Sequence, residues 1–350
     1  MGSPLLEVRD LRTEYRTFGG TRVLPAVDGV SFTLEEGKTI GLVGESGCGK
    51  TTTCLSIVRL LPRGASVTGG EVLLAGEDLL HLSERQMQRV RGKEIAMILQ
   101  DPMASLNPLF TVEDQVREPA LHHRHLHGAA LRTRVRSLLE SVRIPSPEVR
   151  MGEYPHQMSG GMRQRIAGAI ALSAGPKVII ADEPTTSLDV TIQAQYLDLL
   201  KNLQRDTGVG LIFVTHDLGI VAKMCDEVVV MYAGKAVEHG PVRDVFSRPR
   251  HPYAEALLRS VPKMGSKEPL YRIDGQPPNL ADLPPGCAFS PRCAFAEERC
   301  GEAVPPLVEV GPHHRVACVR AHDRLRFVVP GPNNGTVDAP ESVAPESVAP

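Results

Sequence analysis

Gly44-Glu45-Ser46-Gly47-Cys48-Gly49-Lys50-Thr51 fits the pattern G-x-x-x-x-G-K-[ST] in full. It follows the apolar run Thr39-Ile40-Gly41-Leu42-Val43 and opens a helical pattern, the context a phosphate loop requires. Glycines let such a loop wrap tightly, so that successive backbone N–H groups point inward at phosphate oxygens. A helix start beyond the loop adds favourable dipole potential for an anion. Lys50 is expected to reach the β- and γ-phosphates of a nucleoside triphosphate, and the Thr51 hydroxyl to bind Mg²⁺. Thr52 follows in the same contact set. Cys48, inside the loop, reads as a small tolerated residue rather than a redox switch.

A second set lies far along the chain. Val178-Ile179-Ile180-Ala181-Asp182-Glu183 is an apolar strand that ends in two acids. Asp182 is placed to hold the Mg²⁺ shell, directly or through water. Glu183, one residue on, is placed to polarise a water attacking the γ-phosphate. An apolar run with two acids is a weak signal alone and a strong one beside a phosphate loop. The third set is Cys287, Cys293, Cys300 and Cys318, with five, six and seventeen residues between them. Four thiolates make a tetrahedral set for Zn²⁺, or one ligand for each iron of a [4Fe–4S] cluster. The usual zinc pattern has paired C-x₂-C knuckles, which this segment lacks, and wide uneven spacing suits a larger cluster. Free or structural thiols are the remaining reading. His314 is a weaker alternative ligand. A cluster here is expected to staple a segment too poor in apolar residues to hold itself together.

The elements around these sets alternate. Leu5–Val8, Val30–Leu34 and Thr39–Val43 read as strands, and Thr51–Leu61 as a helix stopped near Pro62. Strand signals return at Val178–Ala181 and Leu211–Val214, with a helix Ile192–Arg205 between them. Strand, helix, strand in alternation predicts an α/β fold with a mostly parallel sheet covered by helices. Residues 112–150 are polar and helical in pattern and look like a helical insert. His122, His123, His125 and His127 crowd one predicted helical stretch there, and a solvated helix face explains them better than a metal shared by His123 and His127. From about residue 240, Pro, Arg and Cys become common. Residues 331–350 repeat Ala-Pro-Glu-Ser-Val and read as a disordered tail. Cys54 and Cys225 read as core residues.

Composition excludes several classes of function. A formal net charge of −2 gives no general attraction to nucleic acid or anionic lipid. Aromatics at 4% and no Trp argue against a stacking platform for single strands. No apolar run of roughly 18 residues predicts a membrane span. The first ten residues lack the basic and apolar regions of a signal peptide, so a cytosolic location is expected. Seven cysteines there point to metal, catalysis or packing rather than disulfides.

Ser159-Gly160-Gly161-Met162-Arg163-Gln164-Arg165 lies upstream of the acid pair, and with it the chain resembles the ATPase subunits of ABC transporters. Ser159-Gly160-Gly161 is similar to the core of that family's signature loop, Gln100 to its Q-loop and Ser187-Leu188-Asp189 to its D-loop. His216, in Thr215-His216-Asp217, is similar to its switch histidine. Met158 and Met162 depart from the common Leu and Gln. The resemblance implies a head-to-tail dimer with two ATP molecules between the subunits, each phosphate loop facing the partner's signature loop. It implies Tyr15 as the residue stacking on adenine, with Phe18 as runner-up, Gln100 in the Mg²⁺ shell, and His216 positioning water on the γ-phosphate. The di- and oligopeptide (and nickel) importer branch is resembled further at Gln100–Pro108, Tyr154–Arg165 and His251–Leu258. That implies an ATPase domain over residues 5–240 with an antiparallel β subdomain and a helical insert at about 101–170, then a small Cys-containing domain over 241–330. It also implies two transmembrane permease subunits, a second and different ATPase chain, an extracytoplasmic peptide-binding protein, and peripheral attachment at the cytoplasmic face of the membrane. Some members of the branch carry a [4Fe–4S] cluster on a matching cysteine set. A soluble ABC-type ATPase acting on nucleic acid or ribosomes is the distant alternative, because the chain has one phosphate loop and no sustained heptads.

Overall fold

The structure, a computed structural model, describes residues 4–17, 22–101, 105–186, 188–262 and 271–321. Strands run in chain order as β1 (Leu6–Thr17), β2 (Arg22–Leu34), β3 (Thr39–Val43), β4 (Ala65–Leu74), β5 (Glu77–Asp78), β6 (Ile95–Ile98), β7 (Val178–Asp182), β8 (Gly210–Val214), β9 (Glu227–Tyr232), β10 (Lys235–Pro241), β11 (Val308–Gly311) and β12 (His314–Val316). They form two sheets. One is antiparallel, in the order β2-β1-β4-β5; the other has the order β11-β12-β10-β9-β3-β8-β7-β6. In the second, β9, β3, β8, β7 and β6 are mutually parallel. This is the expected α/β architecture. β3, β7 and β8 are buried along their whole length, which is why they read as unbroken apolar runs.

One apolar core lies between the sheets, where Leu6, Val30 and Phe32 meet Ile40, Leu42 and Ile57. A second joins the far face of the parallel sheet to the helical region through Val116, Val135, Leu139, Ile166 and Phe213. The helices there are Val112–Arg124, Gly128–Ser141 and Gly160–Ser173. The first starts at a reciprocal cap: the Thr111 side chain accepts from the Asp114 amide, and Asp114 accepts from the Thr111 amide. Among the described residues no helix is long and apolar enough to cross a membrane.

Several expectations change. The helix after the phosphate loop is Lys50–Ile57 rather than 51–61, because Val58 caps it and Arg59 turns left-handed. The last helix of this region ends at Ser173, close to the expected limit of about 170. The four histidines do not share one helix, since only His122 and His123 lie in Val112–Arg124. His125, at φ 53, ends Val112–Arg124, and His127 caps the next helix, so the i, i+4 relation of His123 and His127 is lost. The segment after residue 240 packs onto the rest of the chain. β12 pairs with β10 and extends the main sheet. A third core, with Val43, Tyr232, Tyr253 and Phe289, fuses it to the rest. Phe18, Ser187 and the predicted tail 331–350 lie outside the described residues.

Candidate functional site

The phosphate loop begins where β3 ends. Gly44 and Gly49 have φ of 150° and 103°. A Cβ at Gly44 would stand 2.2 Å from the Met231 carbonyl oxygen, and one at Gly49 2.3 Å from that of Ala26, so only glycine lets the loop sit this deep. Lys50 is 6% exposed, and its Nζ donates to the carbonyls of Gly44 and Glu45 at 2.8 and 3.0 Å. The loop therefore curls around its own ammonium. Cys48 is buried, with Sγ 3.7 Å from that Nζ; burial raises its thiol pKa against the pull of Lys50. That is packing behaviour, as expected of this residue.

The acid pair ends β7. Asp182 is 3% exposed, and its Oδ1 accepts from the Thr51 hydroxyl at 3.1 Å. Burial raises the Asp182 pKa, and the Thr51 bond opposes this. A buried carboxylate beside a hydroxyl supplies the hard oxygen donors that Mg²⁺ takes alongside substrate phosphates, so the residues fit that ion. Glu183 turns left-handed, at φ 44. Its Oε2 accepts from Gln100 Nε2 at 3.1 Å and from the Thr186 hydroxyl at 3.0 Å, and His216 Nδ1 lies 3.4 Å away. Gln100 follows β6 and His216 follows β8. Loop, acids, Gln100 and His216 thus converge beyond the carboxyl ends of parallel strands, where open α/β sheets bind ligands. Thr186 is a contact the sequence analysis missed; nothing but its place three residues after Glu183 could have signalled it.

Other expected residues stand elsewhere. The Tyr15 hydroxyl lies 3.3 Å from the Thr52 hydroxyl, at the start of the phosphate-loop helix. Ser159 caps the helix Gly160–Ser173, its hydroxyl accepting from the Met162 amide at 3.3 Å. The two signature glycines differ: a Cβ at Gly160 would meet open space, while one at Gly161 would stand 2.7 Å from Ile192 Cγ2. Asp189 caps the helix Val190–Thr207, accepting from the amides of Thr191 and Ile192 at 3.1 and 3.0 Å.

The four C-terminal cysteines are brought together. Cys287, Cys293, Cys300 and Cys318 line one small cavity with His251 and Phe289. Among the described residues, no group of three or more His, Cys, Asp or Glu side chains is positioned to hold a metal ion. Burial pushes the Cys293 thiol up to about 12 and Cys318 up to about 11. His251 Nδ1 accepts from the Tyr253 amide at 3.0 Å, and its buried Nε2 has no partner. Four thiols and an orphaned N–H around one cavity are donors of the kind a thiolate-bound cluster uses, and the cavity as it stands has room for little more than a water molecule. His314 is not part of it: its Nε2 is 2.7 Å from Glu238 Oε1, in a buried pair.

A family model described as ABC transporter matches residues 27–186, and one described as oligopeptide/dipeptide transporter, C-terminal region, matches residues 237–300. The chain is similar to a putative peptide import ATP-binding protein of Brucella ovis, at 49% identity over 330 residues, 91% of this chain and 97% of that one. It is similar to the dipeptide transport ATP-binding protein DppD of Bacillus subtilis, at 49% identity, 93% of this chain and 97% of that one. The oligopeptide transport ATP-binding protein OppD of the same organism is 47% identical, over 97% of this chain and 92% of that one. Among solved structures, a dimeric post-hydrolysis state of the ATP-binding cassette MJ0796 bound to ADP and Pi gives a TM-score of 0.61 at 26% identity, over 68% of this chain and 99% of that one.

Proposed function

The chain belongs to the ABC transporter ATP-binding family, and we propose that it is the ATP-hydrolysing subunit of an importer of dipeptides or oligopeptides. The observation that carries this is the gathering of Gln100, Thr186 and His216 on one oxygen of Glu183, beside the Thr51–Asp182 contact. Lys50 and the loop amides bind the triphosphate. Mg²⁺, when bound, neutralises charge on the β- and γ-phosphate oxygens. Thr51 and Asp182 hold it, with Gln100 alongside. Glu183 accepts the proton of the attacking water, and Gln100 and His216 orient that water and the carboxylate. Tyr15 stacks on adenine, which its place beside Thr52 supports.

Ser159, Gly160 and Gly161 open a helix whose N-terminal amides are directed at the γ-phosphate bound by a second ATPase subunit. The open space around Gly160 supports this reading, and Asp189 stands in the same contact set. That subunit, two membrane permease subunits and an external peptide-binding protein complete the assembly, with this chain on the cytoplasmic face. The relatives' names and the matched C-terminal region support peptides as cargo. The four cysteines hold a [4Fe–4S] cluster that staples the segment; their common cavity and the orphaned His251 Nε2 support it.

Phosphate release from MgATP by the purified chain, alone and with its permease partners, tests the enzymatic part. Hydrolysis is expected in both, stimulated by the partners. A protein that binds MgATP yet releases no phosphate in either setting sinks the reading. Uptake of a labelled dipeptide by cells with and without the gene tests the cargo, and unchanged peptide uptake with lost nickel uptake would move the assignment to nickel.

A further inference from the structure

Glu45 is the second residue of the phosphate loop, and its carboxylate is taken by a residue far along the chain. Arg292 Nη1 lies 2.6 Å from Glu45 Oε2, and Nη2 lies 2.9 Å from Oε1. The same guanidinium donates to the Tyr232 hydroxyl at 3.2 Å and to the Asp274 carbonyl at 3.0 Å. The Arg292 side chain is 5% exposed. The Glu45 amide in turn donates to the Tyr253 hydroxyl at 2.8 Å. Both ends of one loop residue are therefore held by the segment that carries the cysteines, since Arg292 directly precedes Cys293.

A carboxylate in a loop that must cradle a triphosphate is an electrostatic fault, because like charges at short range repel even through a high effective dielectric. A two-pronged guanidinium is the strongest available neutraliser, and its planar fork fixes direction as well as charge. Resting on the nucleotide-site reading above, we propose that Arg292 is a positioning residue for the phosphate loop: it neutralises Glu45 and aims it away from the bound phosphates, so that the cysteine-bearing segment sets the affinity for MgATP. Arg292 touches no phosphate itself. Its effect falls on binding more than on the chemical step, because the loop serves ground and transition states alike.

The test is equilibrium binding of a fluorescent ATP analogue with Mg²⁺ to the full chain, with steady-state hydrolysis and thermal melting on the same samples. Arg292→Ala is expected to raise Kd about 10-fold, worth ~1.4 kcal/mol, with kcat within about three-fold of wild type. Adding Glu45→Gln to Arg292→Ala is expected to return Kd to within about three-fold, since the unneutralised charge is then gone. A merely structural role would leave the double variant as weak as the single one. Should Arg292→Ala not fold, Arg292→Gln decides: it keeps a hydrogen-bond donor and loses the charge, and a Kd raised at least about three-fold supports the proposal. An unchanged Kd in Arg292→Ala, or in Arg292→Gln where Ala does not fold, overturns it. Lys50→Ala runs alongside. If it abolishes binding while the Arg292 variants bind normally, the positioning role fails and the nucleotide site stands; if Lys50→Ala binds as wild type, the site itself is wrong.

Discussion

Glu183 sits in a left-handed backbone conformation, one that a non-glycine residue keeps only where its surroundings hold it there. Its amide donates to the Val214 carbonyl at 3.0 Å, so the strain is fixed by the neighbouring strand. Glu183→Gln keeps the size of the side chain and removes its basicity. Hydrolysis is expected to fall about 10²–10⁴-fold with MgATP binding retained, leaving a nucleotide-bound closed dimer visible by size-exclusion chromatography. Rapid turnover in that variant would remove Glu183 from the role of base. His251 makes a different prediction. Burial alone lowers its pKa from 6.5 to about 3, so it is neutral in the fold. Between those values the unfolded chain binds the extra proton, so stability is full above pH 6.5 and falls as pH drops toward 3. The loss at pH 5 is about 2 kcal/mol. His251→Asn preserves an acceptor for the Tyr253 amide and should flatten this part of the pH–stability curve measured by denaturant unfolding. An unaltered curve would place the acid sensitivity elsewhere.

Among the elements, the helix Gly160–Ser173 shows how one short motif serves two purposes. Gly161 has Ile192 Cγ2 against it, and that methyl is fixed to a β-branched side chain. Gly161→Ala should therefore cost about 1–3 kcal/mol of folding stability, read as a lowered melting temperature. Gly160 faces open space, and alanine is the better helix former. Gly160→Ala should melt no lower than wild type, bind MgATP normally, and lose hydrolysis at least about ten-fold, since a methyl is worth that much when it blocks a close approach of the second subunit. Full hydrolysis in Gly160→Ala would argue that no partner phosphate comes near this helix. Asp189, two hydrogen bonds into the start of Val190–Thr207, contributes about 1 kcal/mol as a cap whatever else it touches.

At the scale of the whole molecule, the C-terminal segment is continuous with the ATPase. β11 and β12 extend the main sheet through β10. Glu238 on β10 is fully buried, and its carboxylate accepts from His314 and from the amides of Arg250 and His251. Burial pushes its pKa up, and those donors oppose the rise. Iron and zinc analysis of protein purified without oxygen tests what the cysteines hold. About four irons per chain is expected, with the cysteine-bearing segment becoming sensitive to proteolysis when the metal is stripped. One zinc and no visible colour would replace the cluster by a single-ion staple. Stripping that leaves proteolysis unchanged would remove the stapling role altogether.

The phosphate loop and the acid pair proposed for the nucleotide site could be read from the sequence because each is a contiguous pattern in a telling local context, whereas Tyr15, Gln100, Asp189 and His216 were implied by the family resemblance. The loop stands between a buried strand and a helix, and the acids end an apolar run. β3, β7 and β8 were legible for a related reason: strands buried on both faces leave an uninterrupted apolar signature. What stayed hidden depends on contacts between residues far apart in the chain. Thr186 on Glu183 is decided by a left-handed turn, and the separation of the histidines by a single left-handed residue at His125. β10, β11 and β12 are short, half-polar and mixed in pattern, and only pairing identifies them. Arg292 and Glu45 are 247 positions apart, and no periodicity relates them. Local patterns therefore determined which chemistry this chain carries. The tertiary structure decided which distant side chains surround that chemistry, because burial and charge pairing act through space.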